Sequence, residues 1–405
     1  MGTTSVVVGS LLAALLAYAF QVFGGRMVGP VEFAPVTILW TVQFLAMQVL
    51  YQPLEHFVNR ETGLRRPPAI NQALLFGAVS GLVTAITMYV LRDLFFDDLT
   101  YVVMAGVLVF GYAVFGYGRG RLAGANQFGA FGIVTAGEAG LRLALAISLV
   151  WTMGALGLAW AMVVAPFVAV AWLPQAGVRG PRAEFAKNLT PLVAASAFGQ
   201  ALLGLPPLAA AFFGADPATV SVVFMTFAMY RGPIWVLQGL MARLLPVFVD
   251  RVEQEAYGQL RQWMGRLAYG GLAVASLAFV VGFLLGPPVL GWLLGEGFRP
   301  DSLFSGMTAA GVVIAATAGL MNQVLLALDR LPAITYSWLV GFLVAAIVAI
   351  SLPGSPYLRI GTGFLVGEIV ALAGLYTRFL RMRFDELADA PGADTATSPS
   401  ERQRP

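Results

Sequence analysis

The chain has 405 residues, of which 59% are apolar and only 11% are charged, and its mean hydropathy is +0.80. A single hydrophobic core stops growing near about 250–300 residues, so this apolar excess needs the bilayer as a second solvent. The composition excludes a soluble enzyme and predicts a polytopic membrane protein. The absence of cysteine and the single histidine, His56, argue against disulfides, thiolate chemistry, histidine catalysis and metal cofactors.

Twelve apolar runs of about 20 residues, the length that crosses roughly 30 Å of hydrocarbon, follow one another along the chain. The first lacks a basic segment before it, since Met1–Ser10 has no Lys or Arg, and this is typical of a retained span rather than a signal peptide. The predicted limits are 5–25, 34–53, 69–91, 99–118, 129–151, 155–174, 190–213, 218–246, 267–290, 303–328, 333–352 and 359–380. The polar remainder, 381–405, predicts a disordered cytoplasmic tail.

Positive charge is divided unequally between the two ends of these spans. With both termini cytoplasmic, most of the 24 Lys and Arg residues fall inside, whereas the outside loops carry Arg92, Arg299 and Arg359. The positive-inside rule therefore predicts a multi-pass protein of the cytoplasmic membrane with both termini inside. The net charge of +3 reports this topology and does not indicate a nucleic-acid partner. The outside loops are too short for an extracellular enzyme domain.

The stretch Gln175–Asn188, with glycine, proline and three cations, reads as a linker between two six-span halves. Gly29–Phe33 in the first half corresponds in order to Asp216–Val220 in the second, since each outer turn leads into a long apolar span and a basic inner loop. Halves with an even number of spans share one orientation. The predicted fold is all-α, with about 12 transmembrane helices in two pseudo-symmetric six-helix lobes around a central cavity. The N-lobe covers 1–178 and the C-lobe 179–380.

Ionisable groups inside the bilayer are costly, and the few in this chain are the candidate site residues. Arg231 lies near the middle of span 8, two residues before Pro233, and span 7 has its own interruption at Leu203–Pro207. Two neighbouring interrupted spans, one with a cation in the membrane, indicate a cavity lined by free backbone groups. The alternative is that Arg231 pairs with Glu368 of span 12 and joins the helices.

Arg26 lies at the outer end of span 1, on the side that the positive-inside rule disfavours. It either faces the central cavity and meets an anionic substrate, or lies among the headgroups near Glu32. In span 5, Glu138 and Arg142 are spaced i,i+4 on one helical face, in the favourable order. They form either a self-neutralised pair facing the bundle or a protonation switch that frees Arg142 for substrate.

Glu368 has no charged neighbour within a helical turn and is either a proton carrier or a neutral, hydrogen-bonded acid. Neutral polar side chains within the spans, which either meet sugar hydroxyls or join helices, include Gln43 and Gln200. His56 is interpreted as interfacial. The Gly118–Arg121 stretch is not a phosphate loop, because no Gly-Lys-Ser/Thr follows it. The lack of loop acid pairs or metal-ligand clusters favours transport over catalysis.

Four segments, in this order, resemble turns of the polysaccharide and lipid-linked oligosaccharide flippases of the multidrug/oligosaccharidyl-lipid/polysaccharide exporter superfamily. Gly25–Phe33 resembles the turn after their first helix, and Leu122–Phe128 is similar to the inner turn before span 5. Leu294–Phe298 is similar to the outer loop before span 10, and Leu326–Arg330 to the inner turn after it. The resemblance covers most of the twelve spans.

The resemblance implies two six-helix lobes that rock between inward-open and outward-open states. It also implies that an undecaprenyl-pyrophosphate-linked oligosaccharide, or a related cell-envelope glycan precursor, crosses the membrane. Cavity arginines hold the pyrophosphate in that family, as a bidentate guanidinium can. By position, Arg26 matches the first-helix turn, Arg231 matches the tendency to place an arginine in span 8, and Arg60 is a third candidate.

The sequence departs from the family pattern at Phe33-Ala34, where a glycine follows the phenylalanine in the flippases. Spans 1 to 4 contain no acid, whereas drug exporters of the superfamily carry one in an early span. The prediction is therefore a flippase driven by H⁺ or Na⁺, with membrane lipids and contact with glycan polymerases or transferases implied as partners. The alternatives are a drug/cation antiporter or a non-transporting membrane scaffold for envelope assembly. One lysine against 23 arginines indicates a GC-rich, bacterial source.

Overall fold

The computed structural model describes residues 2–65, 70–96, 98–172, 193 and 197–382. Eight helices of these residues are long and apolar enough to cross a membrane, and one of them, Ser5–Gly63, contains two of the predicted spans. The chain is therefore a helical, multi-pass membrane protein. The predicted linker and the predicted tail from residue 383 onward, like the boundary at 178/179, lie outside the described residues.

The described residues of the first half, up to residue 172, are mostly helical. Its elements are α1 Gly2–Leu45, a π-helical segment Ala46–Tyr51, α2 Gln52–Gly63, α3 Ile70–Val90, a 3₁₀ turn Arg92–Phe95, α4 Leu99–Gly124, α5 Phe128–Met153, α6 Ala155–Val164 and a 3₁₀ segment Ala165–Trp172. The change from α to 3₁₀ geometry in span 6 coincides with Pro166, which cannot donate a backbone hydrogen bond.

α1 reverses direction at Gly29, where φ is +76° and Pro30 follows. Only glycine adopts this backbone geometry readily, and it allows the chain to turn back on itself. The rings of Phe20 and Trp40 are 5.2 Å apart, whereas in a straight helix 20 residues would separate them by about 30 Å. Predicted spans 1 and 2 are thus a helical hairpin.

The second half has the same succession of helices. A helical stretch at 197–204 leads into α7 Pro206–Phe212, followed by α8 Pro217–Glu253, α9 Tyr257–Leu294, a 3₁₀ turn Glu296–Phe298, α10 Ser302–Ala327, α11 Leu331–Ser351 and α12 Pro356–Leu380. The predicted interruption of span 7 is present just before Pro206 and Pro207. The predicted interruption of span 8 is not seen, because α8 is continuous through Pro233. One missing backbone donor does not end a helix of 37 residues.

The two halves pack their helices in the same order. In the first half, α4 packs against α3 and α2, and α5 packs against α6. The corresponding helices of the second half pack in the same way: α10 against α9 and α8, and α11 against α12. This correspondence agrees with the predicted internal repeat. We refer to the described parts of the halves, 2–172 and 197–382, as the N-lobe and the C-lobe. The predicted outer end is the end that carries Gly29, Asp216 and Glu296, and the opposite end is the predicted inner end.

Candidate functional site

Arg231 lies on the side of α8 that faces the N-lobe, and it is 7% exposed. Its guanidinium carbon is 4.9 Å from the ring centre of Phe44 and 5.5 Å from that of Phe227. Its Nε donates a hydrogen bond of 3.2 Å to the carbonyl oxygen of Phe227. No carboxylate of the described residues lies within ion-pair distance. A buried cation is therefore held between two aromatic rings at the junction of the lobes.

Glu368 of α12 is fully buried, and neither of its carboxylate oxygens has a hydrogen-bond partner among the described residues. The rings of Phe227 and Phe364 touch, with centres 4.8 Å apart. α8 and α12 both begin at the predicted outer end, so Arg231 and Glu368 each lie one turn further inward than this contact. They share a depth but are not an ion pair, and the predicted alternative of an Arg231–Glu368 salt bridge is wrong in this state.

Helices α1 and α8 approach closely beside Arg231. The Tyr18 hydroxyl donates to the carbonyl oxygen of Ala228 at 2.8 Å. A Cβ at Gly232 would collide with the same hydroxyl, so a larger residue there would displace the Tyr18 side chain. Tyr18 thus adds a polar group from the N-lobe to the surroundings of Arg231.

Two of the predicted glutamines lie within one helical turn of residues at the Phe44 ring. Gln43 is 8% exposed, and its Oε1 has no hydrogen-bond partner among the described residues. Gln200 is half-buried and lies one turn before Gly204, where an added Cβ would be 2.8 Å from the Phe44 ring. The Phe44 ring itself packs on Arg231, so both glutamines are near Arg231 along the backbone, and no hydrogen bond from either one to Arg231 is present among the described residues.

Arg60 does not belong to this region. It is exposed at the predicted inner end, 3.9 Å from Glu61, and about 24 Å along the second span from Phe44. Its position is that of a solvated residue near the headgroups, as expected for a cation that closes a span.

Glu138 and Arg142 of α5 form a buried ion pair, 5% and 3% exposed. The hydroxyl of Tyr112 donates to Glu138 Oε1 at 2.8 Å and accepts a 2.7 Å hydrogen bond from Arg142 Nη2. The guanidinium carbon of Arg142 is also 4.8 Å from the Trp40 ring centre. The geometry is that of the self-neutralised pair, since every charge has a partner in the bundle.

Trp40 connects this pair to the C-lobe. Its ring lies edge-on to that of Phe224 of α8, with centres 6.4 Å apart. The Glu138–Arg142 pair therefore contacts Trp40, which in turn contacts the other lobe. Trp40 thus connects the ion pair with the lobe junction.

Arg26 lies at the predicted outer end and is exposed. Its Nε and Nη2 donate hydrogen bonds of 2.7 and 2.6 Å to the carbonyl oxygens of Leu293 and Trp292. These carbonyls end α9, where the helix dipole attracts a cation. Arg231 lies about 21 Å below the start of α8. The structure does not bring Arg26 and Arg231 together, and Arg26 joins the N-lobe to the C-lobe.

Further contacts between the lobes lie at the same end. The Ser221 hydroxyl donates to the Pro30 carbonyl oxygen at 2.6 Å, and the rings of Phe33 and Phe298 meet edge-on at 6.3 Å. Toward the predicted inner end, the π-helical segment and α2 pack against α4 of their own lobe. The lobes are thus joined at the predicted outer end and across the middle of the bundle.

Sequence reasoning did not identify Tyr18, Phe44, Trp40 or Tyr112. An aromatic residue in an apolar span carries no periodic signal, and its partner is decided by packing. The one available signal was that Tyr hydroxyls inside a membrane need a hydrogen-bond partner. Among the described residues, no group of three or more His, Asp or Glu side chains has the arrangement of a metal site.

No family model matches the chain, and no curated protein matches it. Solved structures do. An inward-facing multidrug resistance MATE family transporter of the MOP superfamily is 15% identical, with a TM-score of 0.63 over 95% of this chain and 99% of that one. The eukaryotic MATE transporter AtDTX14 is 16% identical, with a TM-score of 0.61 over 96% and 97%.

An outward-facing MATE transporter of the same superfamily is 17% identical, with a TM-score of 0.56 over 95% of this chain and 96% of that one. These identities are low, so the likeness shows the fold and does not single out the flippase family that the sequence motifs resemble. The chain has the two-lobed, multi-pass membrane fold of MATE transporters of the MOP superfamily.

Proposed function

We propose that the chain is an alternating-access exporter whose substrate is anionic, and that this substrate is a lipid-linked oligosaccharide or a related cell-envelope glycan precursor. The observation that carries the proposal is Arg231, a buried cation at the lobe junction with no carboxylate of the described residues within ion-pair distance. Such a site attracts anions and repels organic cations.

The free energy of the site supports an anionic ligand. Burial of a guanidinium without a counter-ion is costly inside a membrane, and the rings of Phe44 and Phe227 compensate only in part. A phosphate accepting two parallel hydrogen bonds from the guanidinium would neutralise the charge. Gln43 and Gln200, within one helical turn of residues at the same ring, are then the candidates for contact with sugar hydroxyls.

Access to the site follows from the contacts between the lobes. In the observed state, Arg26, Ser221 and Phe298 join the lobes at the predicted outer end. The site would therefore load from the predicted inner end and release after these contacts break. We propose the cytoplasmic membrane as the location, with both termini inside, because the cations favour that orientation.

Two sets of groups are candidates for ion coupling. Glu368 is fully buried with both oxygens unpartnered among the described residues, which suits uptake of a proton. Glu138 and Arg142 would couple by a different route, since protonation of Glu138 would free Arg142 beside Trp40. We propose Glu368 as the primary coupling group, because its carboxylate needs no existing bond to break.

The second candidate function is a drug/cation antiporter. The solved structures with this fold include transporters described as multidrug resistance proteins, and the buried acid Glu368 favours a cationic substrate or counter-ion. The two candidates place opposite charges on the substrate, so transport assays separate them directly.

The test uses the purified chain in liposomes. One arm follows a fluorescent undecaprenyl-pyrophosphate oligosaccharide, and the other follows a fluorescent organic cation, each with and without a proton or sodium gradient. We expect flipping of the glycan lipid, with the rate lowered about 10- to 100-fold by Arg231→Gln, because hydrogen bonds to a charged group contribute about 1.5–3 kcal/mol.

Arg231→Lys is the matched control, since it keeps the charge and loses only the bidentate geometry, and its rate should lie between those of the wild type and Arg231→Gln. Movement of the organic cation alone would overturn the glycan proposal in favour of the antiporter. Movement of neither probe, with a folded protein, would indicate the scaffold.

A further inference from the structure

The C-lobe contains a cleft that the proposed site does not use. It lies between α8 and α9, with α10 as its floor, and has a volume of about 500 Å³. Tyr230 and Ile234 line it from α8, and Ala309 to Leu320 from α10. From α9 it receives one helical face, spaced three and four residues apart: Leu267, Gly271, Val274, Ala278 and Val281.

The described lining is mostly apolar. Val274 and Val281 are 55% and 46% exposed although they face the cleft, so the space is open to a ligand. Among the lining residues that the structure describes, the one that is charged is Arg266, at the predicted inner end. Arg266 is exposed and has neither a hydrogen bond nor an ion pair with any described residue. An apolar channel with a cation at its mouth fits an amphiphile with an anionic headgroup.

The length of the cleft distinguishes between amphiphiles. Arg266 and Gly282 mark its two ends, and on α9 they are about 24 Å apart. The far end is closed by the Ser305 hydroxyl, which donates to the Gly282 carbonyl oxygen at 2.8 Å and bonds the Tyr230 hydroxyl at 2.7 Å. One leaflet of the bilayer offers about 15 Å for an acyl chain. The cleft therefore runs past the midplane of the bilayer, farther than the chains of one leaflet extend on average.

We propose that this cleft holds the isoprenoid chain of a polyprenyl-phosphate-linked substrate, with Arg266 on its phosphate at the inner leaflet. The inference rests on the proposed function and adds a loading site to it. Tyr230 lines the cleft while the next residue, Arg231, faces Phe44. The cleft and the central cation thus lie on different faces of α8, and the proposed transfer takes the headgroup past this helix while the chain stays in the cleft.

The test is photolabelling of the full chain in nanodiscs with a diazirine-bearing polyprenyl phosphate, followed by mass spectrometry of the peptides. We expect adducts in 267–282 and 309–320. We expect undecaprenyl phosphate to compete for labelling at lower concentration than phosphatidylglycerol. Adducts confined to other segments would overturn the inference, as would equal competition by phosphatidylglycerol.

Two pairs of variants test the contacts. Arg266→Gln should lower labelling about fivefold, the effect of one cation at a membrane surface, whereas Arg261→Gln, an exposed arginine of the same helix outside the cleft, should not. Gly270→Trp adds a bulky ring to the lining of the cleft, at a position where an added Cβ meets nothing within 4 Å. Gly258→Trp, equally open but outside the cleft, is its control. Equal labelling within either pair would overturn the inference.

Flipping is measured in the same preparations, so that the two proposals fail separately. Glycan-lipid flipping with adducts outside the cleft would overturn the cleft alone. Adducts in the cleft without flipping would support a polyprenyl site while removing the proposed transport.

Discussion

Replacement of Arg26 tests whether the predicted outer end is held shut by a link between the lobes. The guanidinium of Arg26 in the N-lobe donates two hydrogen bonds to the last carbonyls of α9 in the C-lobe. These bonds exist only while the lobes meet at this end. Arg26→Ala should therefore shift the equilibrium toward states that are open at the predicted outer end.

The size of the shift follows from the geometry. Hydrogen bonds to a charged group contribute about 1.5–3 kcal/mol when buried, and exposure of Arg26 reduces each to about 0.2–1 kcal/mol. The attraction between a cation and a helix C-terminus adds about 0.3–1 kcal/mol. A total near 1.5 kcal/mol corresponds to about a tenfold change in the ratio of open to closed states.

The assay is electron–electron distance measurement between spin labels on the two lobes. The chain has no cysteine, so Asp93→Cys and Leu303→Cys, both exposed at the predicted outer end, give two unique labels. We expect a longer-distance population that grows about tenfold in Arg26→Ala, with an intermediate change in Arg26→Lys because the charge is kept.

Arg299→Ala is the control, since Arg299 is an exposed arginine of the same end that pairs with Glu296 of its own lobe at 3.3 Å. It should leave the distances unchanged. An unchanged distribution in Arg26→Ala, or an equal shift in Arg299→Ala, would refute the link. If Arg26→Ala abolished transport without moving the lobes, Arg26 would be a substrate contact instead.

Three other predictions follow from buried or capping groups. Glu138→Gln leaves Arg142 buried without its counter-ion and should cost about 3–5 kcal/mol, seen as a lower thermal unfolding temperature that Glu138→Gln with Arg142→Leu restores in part. Glu368→Gln should keep the fold but abolish stimulation of transport by a proton gradient, measured in liposomes. Asp216 caps α8 by accepting hydrogen bonds from the Thr219 amide and hydroxyl at 3.0 and 2.7 Å, so Asp216→Ala should cost about 1 kcal/mol.

The Asp216 cap also predicts a pH dependence. The hydrogen bonds from Thr219 lower the pKa of the Asp216 carboxyl below its ordinary value of 3.8. The stabilisation is therefore present above pH 3.8 and is lost as the pH falls through the lowered pKa. Asp216→Asn should cap α8 without this acid loss. Identical acid unfolding of the wild type and Asp216→Asn would contradict this role of Asp216. Full stimulation of Glu368→Gln by a proton gradient would contradict the coupling role of Glu368. An unchanged unfolding temperature of Glu138→Gln would contradict the stabilising role of the Glu138–Arg142 pair.

The sequence predicted the helices well because lipid imposes a simple rule. A run of about 20 apolar residues favours a helix that spans the bilayer, and each predicted span is helical over most of the residues that the structure describes. The hairpin at Gly29-Pro30 and the break before Pro206 were predictable for the same reason, since glycine and proline act locally. The i,i+4 spacing likewise predicted the Glu138–Arg142 contact.

Pairings between distant spans could not be predicted in this way. The sequence offered Glu368 as a partner for Arg231, and the structure places two phenylalanine rings around Arg231 and leaves Glu368 without a partner among the described residues. The sequence also predicted a cavity position for Arg26 as one alternative. The guanidinium instead donates to the carbonyl oxygens of Leu293 and Trp292, more than 260 residues further along the chain.

The sequence by itself determined that the chain crosses the membrane many times, where most spans begin and end, and which charges the bilayer makes expensive. These properties depend on the free energy of transferring each short segment from water into lipid, and that free energy is set by the residues of the segment itself. Tertiary structure alone decided which face of each helix meets the other lobe, and so which charges are paired. Lipid solvates every apolar helix face equally well, so burial of apolar surface does not decide how a helix is rotated. Close packing and hydrogen bonds between spans decide helix rotation and the choice of partner, and sequence spacing does not encode them.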